Sequence, residues 1–401
     1  MVYGRNCRWF GVHFKLRIKT THMKSKLLAL ALFFSLLFGA CTPTTKKQES
    51  KQDNKEVKSE IRYAKGFSIS RFANYTQIIV RNPWDSTHIL EEYILVDRNA
   101  PIPNHLPEGV IVKVPVQRAA ICSSVHIGMW NQLGKINDVV AVCEPEYIDY
   151  NVIKQGLSSG KIVDLGMATS INIEKLVAVA PDVLVISPFE NNTHDRFLNT
   201  GIAVVKDASY MEESPLGRSE WIKFEAAFTG EDALAEKIFN NLEKRYQSLC
   251  TQVLRTKNRP TVFAEKKYGD SWYVSGGNSY IGRFLKDAGA NYMWADLKNA
   301  GSVPMAFETV FAKAIHADYW LIKYNNSQSD LTYKQLETEY ELYANFKAFK
   351  KKNIFAMNSA TCPFYEEGPM EPDVVLSDLV SIFHPEIMPD YKPKYYFRIK
   401  Q

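Results

Sequence analysis

The chain has 401 residues, 46% hydrophobic and 23% charged, with 49 Lys and Arg against 44 Asp and Glu. Residues 1–40 hold seven of the basic side chains and none of the acidic ones, so without them the balance is 42 against 44 and the apparent basic excess vanishes. That excludes a whole-domain case for binding nucleic acid or an anionic membrane surface, and the six cysteines show no metal-ligand spacing.

Met23-Lys24-Ser25-Lys26 is a basic lead-in to an apolar run from Leu27 to Phe38, the pattern of a secretory signal. At 12 residues the run is short of the roughly 20 needed to cross a bilayer. Leu37-Phe38-Gly39-Ala40-Cys41 then resembles a bacterial lipobox, with Phe38 departing from the usual Leu or Val. The resemblance implies lipidation of Cys41 and a membrane-anchored protein of the cell envelope, on the periplasmic face or exposed at the surface. Residues 41–60, polar and rich in Lys, Gln, Glu and Thr, are expected to be a flexible tether, and residues 1–22 a mis-called start ahead of Met23.

About 340 residues follow, more than one core comfortably supports, so two lobes are expected. Ile61 to Val96 alternates, with a turn signal at Asn82-Pro83, and forms a β-rich elaboration of the first lobe, residues 61–215. From Val110 short apolar runs alternate with helical segments, the mark of parallel βαβ units. Val116–Ile121, Asp138–Cys143, Asp182–Ile186 and Ile202–Val205 are predicted strands, and Val125–Leu133 and Ile173–Ala180 predicted helices. Cys122 and Cys143 could pair if their strands are adjacent, although small buried thiols fit as well.

Residues 216–256 break this alternation with a long helical pattern. Leu234, Ile238, Leu242, Tyr246, Leu249 and Val253 recur every three or four residues and form one stripe. The stretch 231–256 would extend about 39 Å, enough to brace two lobes. Residues 257–401 resume the alternation: strands at Thr261–Ala264, Tyr319–Ile322 and Ile354–Met357, helices at Tyr280–Ala288, Glu308–Ala314 and Val374–Phe383.

The lobes share an echo. Ile173-Glu174-Lys175-Leu176-Val177-Ala178, then Asp182 and an apolar strand, matches Phe307-Glu308-Thr309-Val310-Phe311-Ala312, then Asp318 and an apolar strand. With Asp164-Leu165-Gly166, Ala180-Pro181-Asp182-Val183-Leu184-Val185-Ile186, Gly201-Ile202-Ala203-Val204-Val205 and Asp287-Ala288-Gly289-Ala290-Asn291, residues 111–385 resemble the periplasmic binding proteins of cobalamin and iron-siderophore ABC importers. The resemblance implies two Rossmann-like α/β lobes joined by one long rigid helix with a ligand cleft between them. It also implies delivery to a dimeric permease with its ATPase, docked through Glu174 and Glu308, whose carboxylates suit arginine-rich pockets.

Open parallel sheets bind ligands at the carboxyl ends of their strands. Candidate ligand contacts are therefore Ser123, Ser124, Tyr147, Phe189 and Tyr210 from the first lobe, and Trp272, Tyr273, Tyr280, Tyr324, Phe364 and Tyr365 from the second. The recurring aromatics suit a large flat ligand, an iron-siderophore, haem or corrinoid, with no cofactor or metal of the protein's own. Gly276-Gly277-Asn278-Ser279 lacks the Lys-Ser/Thr of a phosphate loop. A rival binder of bare Zn or Mn would need three or four His and carboxylate ligands. A secreted hydrolase lacks any Gly-x-Ser-x-Gly or His-Glu-x-x-His motif. A surface lipoprotein that passes ligand to an outer-membrane receptor would share this fold.

Overall fold

The computed structural model describes residues 56–190 and 195–401. The expected leader, the expected lipidation site Cys41 and the expected tether up to residue 55 lie outside the described residues.

The first strands are β1 (Val57–Lys58), β2 (Phe67–Arg71), β3 (Thr76–Arg81), β4 (Ile89–Asp97) and β5 (Val110–Val114), joined in that order into one sheet. Alternating positions Phe67, Ile69, Ile78 and Val80 are buried, as a sheet with one face on a core requires. Phe67 packs on Trp221 at 4.8 Å and Tyr93 on Phe228 at 5.4 Å between ring centroids. The expected β-rich elaboration is therefore a complete sheet, and it also takes in Val110–Val114, which pairs in parallel with β4 rather than opening the first lobe's main sheet.

That main sheet comprises β6 (Ala119–Ile121), β7 (Val139–Val142), β8 (Val163–Asp164), β9 (Val183–Ile186) and β10 (Ala203–Lys206), with helices α1 (Ser124–Gln132), α2 (Asn151–Ser158) and α3 (Ile173–Val179). All pairs are parallel, in the order β10-β9-β6-β7-β8. Strand order therefore reverses between β6 and β9. All four residues of β9 are buried, as its unbroken apolar run requires.

The linking region contains α4 (Pro215–Glu220), α5 (Ile222–Thr229) and α6 (Asp232–Leu254). It is not one rod from residue 216, because Gly230 at φ 77° ends α5 in the left-handed conformation that glycine adopts without penalty. α6 itself, 23 residues and about 35 Å long, is the expected brace. Leu242, Tyr246, Leu249 and Val253 are buried as predicted, but toward its start Ala235 and Phe239 replace Leu234 and Ile238 in the stripe. Phe239 meets Tyr63 of the first half at 6.0 Å, while Tyr246 donates to Asp287 of the second at 2.8 Å.

Two buried carboxylates tie the amino-terminal segment to this region. Glu220 accepts the backbone N–H groups of Arg62, Tyr63 and Ala64 at 2.7–3.0 Å, and Glu212 those of Lys65 and Gly66 at 2.8 Å.

The second half holds β11 (Thr261–Ala264), β12 (Lys267–Tyr268), β13 (Ser271–Ser275), β14 (Asn291–Tyr292), β15 (Ser302–Met305), β16 (Tyr319–Tyr324), β17 (Ile354–Asn358) and β18 (Phe397–Arg398). Its helices are α7 (Tyr280–Asp287), α8 (Phe307–Ala314), α9 (Tyr333–Glu339), α10 (Lys347–Lys350), α11 (Phe364–Glu367) and α12 (Pro372–Phe383). The main sheet runs β14-β11-β16-β17-β18, parallel except for β18, and β12-β13-β15 form a separate antiparallel ribbon. Here strand order reverses between β11 and β16.

The sequence echo has a structural counterpart. Asp182 Oδ2 accepts the N–H groups of Gln117 and Arg118 just ahead of β6, and Asp318 Oδ2 accepts the N–H of Thr261 at the start of β11. Each aspartate fixes the entry of its lobe's first strand. The fold is two α/β lobes of Rossmann type spanned by α6.

Candidate functional site

The first lobe's reversal point opens toward one cavity of about 880 Å3, which the second lobe borders with the ends of β16 and β17, a volume within the size range of small-molecule sites. From the first lobe it is lined by the residues that follow β6 (Cys122, Ser123, Ser124), β7 (Cys143 to Asp149) and β9 (Ser187, Phe189). From the second lobe come the residues that follow β16 (Asn325, Ser327) and β17 (Ser359 to Pro363), then Tyr365 and Glu366 of α11. Crevices of this kind are where doubly wound sheets place ligands, because diverging connections leave the strand ends uncovered.

The second lobe's rim is held by Asn358, buried at the end of β17. Its side chain accepts from the N–H of Asn326 at 3.1 Å and donates to the Asn326 carbonyl at 2.8 Å, while Asn325 donates to Ser359 Oγ at 3.0 Å. The lobes meet at the closed end. The N–H of Asp149 donates to Glu366 Oε1 at 2.8 Å, and a Cβ built on Gly128 of α1 would lie 1.9 Å from the Glu366 carbonyl oxygen. Burial pushes the Glu366 carboxyl above the ordinary range, and the N–H bond opposes that.

Five of the expected ligand contacts line the cavity: Ser123, Ser124, Tyr147, Phe189 and Tyr365. The three aromatics are 64%, 46% and 47% exposed, open faces that a packed core would have covered. The other six do not line it. Trp272 is fully buried, its Nε1 donating to the Ala264 carbonyl at 3.0 Å among Phe263, Trp320 and Tyr343. It belongs to the antiparallel ribbon and not to a strand end, and Tyr273 beside it faces out from the same ribbon. Tyr280 is held under the Arg218 guanidinium, 3.9 Å from its ring centroid. Tyr210 donates to the Pro188 carbonyl at 2.7 Å and Tyr324 accepts from the Leu331 N–H at 3.0 Å, so both brace loops that border the cavity. Phe364 packs edge-on against Tyr395 at 5.3 Å.

Cys122 and Cys143 stand side by side at the ends of β6 and β7 as buried free thiols, with 2.8 Å between sulfurs. The neighbouring thiol and burial both push the Cys122 pKa up. Behind them His126 Nε2 approaches Asp207 at 3.4 Å, and Trp130 donates to Glu225 at 2.8 Å, all fully enclosed. Burial, reinforced by the Asp207 charge, drives the Glu225 carboxyl well above its usual range. Burial works against the charge on Asp207, yet His126 beside it holds that carboxyl below the usual range. Among the described residues no group of three or more His, Cys, Asp or Glu side chains could hold a metal ion.

Gly276 and Gly277 are needed for close packing, since a Cβ at either would meet a backbone carbonyl at 1.9 and 2.3 Å. Their N–H groups already donate to the carbonyls of Gly301 and Leu297 and offer nothing to a phosphate. Glu174 and Glu308 stand exposed in the first turns of α3 and α8.

The site residues not singled out from sequence are chiefly Glu366, Asn325, Ser359 and Thr361. The position after a strand was the available signal, but which loops converge follows from strand order.

A family model described as "Periplasmic binding protein" matches residues 121–361. An uncharacterized lipoprotein of Methanocaldococcus jannaschii is 26% identical over 374 residues, 86% of each chain. The fold is similar to that of a possible iron-binding periplasmic solute-binding protein from Staphylococcus epidermidis, with a TM-score of 0.53 and 18% identity over 67% of this chain and 99% of that one. It is also similar to that of a periplasmic heme binding protein from Pseudomonas aeruginosa, with a TM-score of 0.55 and 16% identity over 71% of this chain and 99% of that one. Because the family match covers more than half of the chain, from β6 to just past β17, the protein belongs to the family of periplasmic binding proteins.

Proposed function

We propose that this protein is the substrate-binding lipoprotein of an ABC importer, which captures an iron-siderophore, haem or cobalamin-type ligand between its lobes and delivers it to a membrane permease. The observation that carries this reading is the set of three exposed aromatics, Tyr147, Phe189 and Tyr365, around one interlobe cavity of about 880 Å3. Aromatic faces with polar edges match a broad planar or chelated ligand, and the hydroxyls of Ser123, Ser124, Ser359 and Thr361 can address its rim. No histidine lines the cavity among the described residues, which favours a chelated metal over a bare Zn or Mn ion. Among the described residues no serine or cysteine of the lining is hydrogen-bonded to a basic side chain, the pairing a hydrolase needs.

In this reading Cys41 carries the anchoring lipid, the protein works at the periplasmic face of the cell envelope, and Glu174 and Glu308 dock on the permease dimer. The test is titration of the full chain, expressed with its leader and purified in detergent, against corrinoids, haemin and ferric chelates by tryptophan fluorescence. Saturable binding at nanomolar to micromolar Kd, about 8 to 12 kcal/mol, is expected for at least one of them. Binding by none removes the proposal.

A further inference from the structure

We infer that the cavity selects a metal chelate without net negative charge, one with a rim of amide, hydroxamate or ammonium groups, and that Glu144 and Glu146 set this selectivity. The inference rests on the reading of the cavity as a chelate site and narrows it.

Among the described residues four carboxylates line the cavity, those of Glu144, Glu146, Asp149 and Glu366, against one cation, Lys154. Lys154 is already engaged, since its ammonium pairs with Asp149. Glu366 is occupied by the Asp149 N–H. Glu144 and Glu146 remain, and neither forms an ion pair among the described residues. Glu144 opens the turn after β7 at φ 50°, and its N–H donates to the Gly166 carbonyl at 3.0 Å, which fixes the turn under both carboxylates.

Among the described residues no guanidinium lines the cavity to receive an anionic ligand. No arginine or histidine lines the wall among the described residues, and Arg196, whose charge reaches Cys122, lies over the Phe197 ring at 4.7 Å. Haem propionates and catecholate oxygens would face carboxylates instead of the bidentate partners that such groups need. The remaining polar lining is uncharged, and hydroxyls and an amide pair well with amide or hydroxamate groups. The aromatic faces add attraction for a cation.

The test uses the full chain and four probes: a ferric linear trihydroxamate with a pendant ammonium, cyanocobalamin, haemin and a ferric tricatecholate. The expected result is binding of the trihydroxamate, of cyanocobalamin or of both, with haemin and the tricatecholate at least about 100-fold weaker. Glu144→Gln/Glu146→Gln should weaken the ammonium-bearing chelate roughly tenfold and leave neutral cyanocobalamin within about twofold. A salt series on the unmodified chain reads the same property without substitution. Affinity for the cationic chelate should fall several-fold as the Debye length shrinks from about 10 Å at 0.1 M to about 3 Å at 1 M.

Haemin or the tricatecholate binding as tightly as the other two overturns this inference and leaves the importer reading intact. So does a cationic chelate indifferent to both salt and the double substitution. Binding by none of the four overturns both.

Discussion

Replacing Gly128 by alanine tests the contact that closes the cleft. The added methyl carbon would lie 1.9 Å from the carbonyl oxygen of Glu366, where an ordinary contact of this kind needs about 3.3 Å. α11 must therefore retreat from α1 by roughly 1.4 Å. Alanine inside a helix is favoured over glycine by up to about 1 kcal/mol. Overpacking costs about 1–3 kcal/mol, at the upper end here because the obstacle is a backbone carbonyl that cannot swing aside. The Asp149 N–H bond to Glu366 sits on the same helix, and weakening it adds about 1 kcal/mol or more. Sterics win, with a net loss of about 2–3 kcal/mol. Urea denaturation should show a lower midpoint, and ligand affinity should drop about tenfold as the second lobe's wall moves off register. Gly301→Ala, where a Cβ meets nothing within 4 Å, is the control and should change little. If Gly128→Ala resists urea as well as the parent and binds equally well, α1 and α11 do not touch in solution and the described closure is wrong.

Glu225→Gln should change how stability depends on pH. Burial and the Asp207 charge raise the Glu225 pKa in the folded state, so between the ordinary carboxylate range and the raised value the fold binds a proton that the unfolded chain has released. Stability from this group is fully present at low pH and is lost as pH rises through that window. Glutamine keeps an acceptor for Trp130 Nε1 without the proton, so the variant's melting temperature should gain on the parent's as pH rises above the ordinary carboxylate range, near about pH 5, and stop gaining once Glu225 in the parent has lost its proton. Parallel curves would contradict the protonated assignment. For the docking proposal, Glu174→Ala with Glu308→Ala should leave ligand affinity intact and abolish cellular uptake. Unchanged uptake removes both residues from the interface.

Much of the architecture was legible because parallel strands buried on both faces leave continuous apolar runs. Asp182-Val183-Leu184-Val185-Ile186 and the brace helix both appear close to where periodicity put them. The boundary at Gly230 was not recovered, since one glycine within a helical pattern is compatible with either continuation or a stop. Cavity-lining residues were harder for a topological reason. Trp272-Tyr273 looks like any other apolar strand segment, and nothing local says that it pairs in a side ribbon instead of the main sheet. Ser123 and Phe189 were recoverable because they directly follow β6 and β9, the two strands at which the order reverses. Glu366 was not, because it arrives on a helix from the other lobe.

The five backbone N–H groups gathered by Glu220 and Glu212 decide where mechanical load goes. Tension applied through whatever precedes residue 56 is taken up within the next ten positions and passed to α4 and, through the bonds of Arg62 and Tyr63 to Glu243, to α6. The loops that line the cavity lie off that route. A leash fastened there can drag the body along a surface without prying its jaws apart.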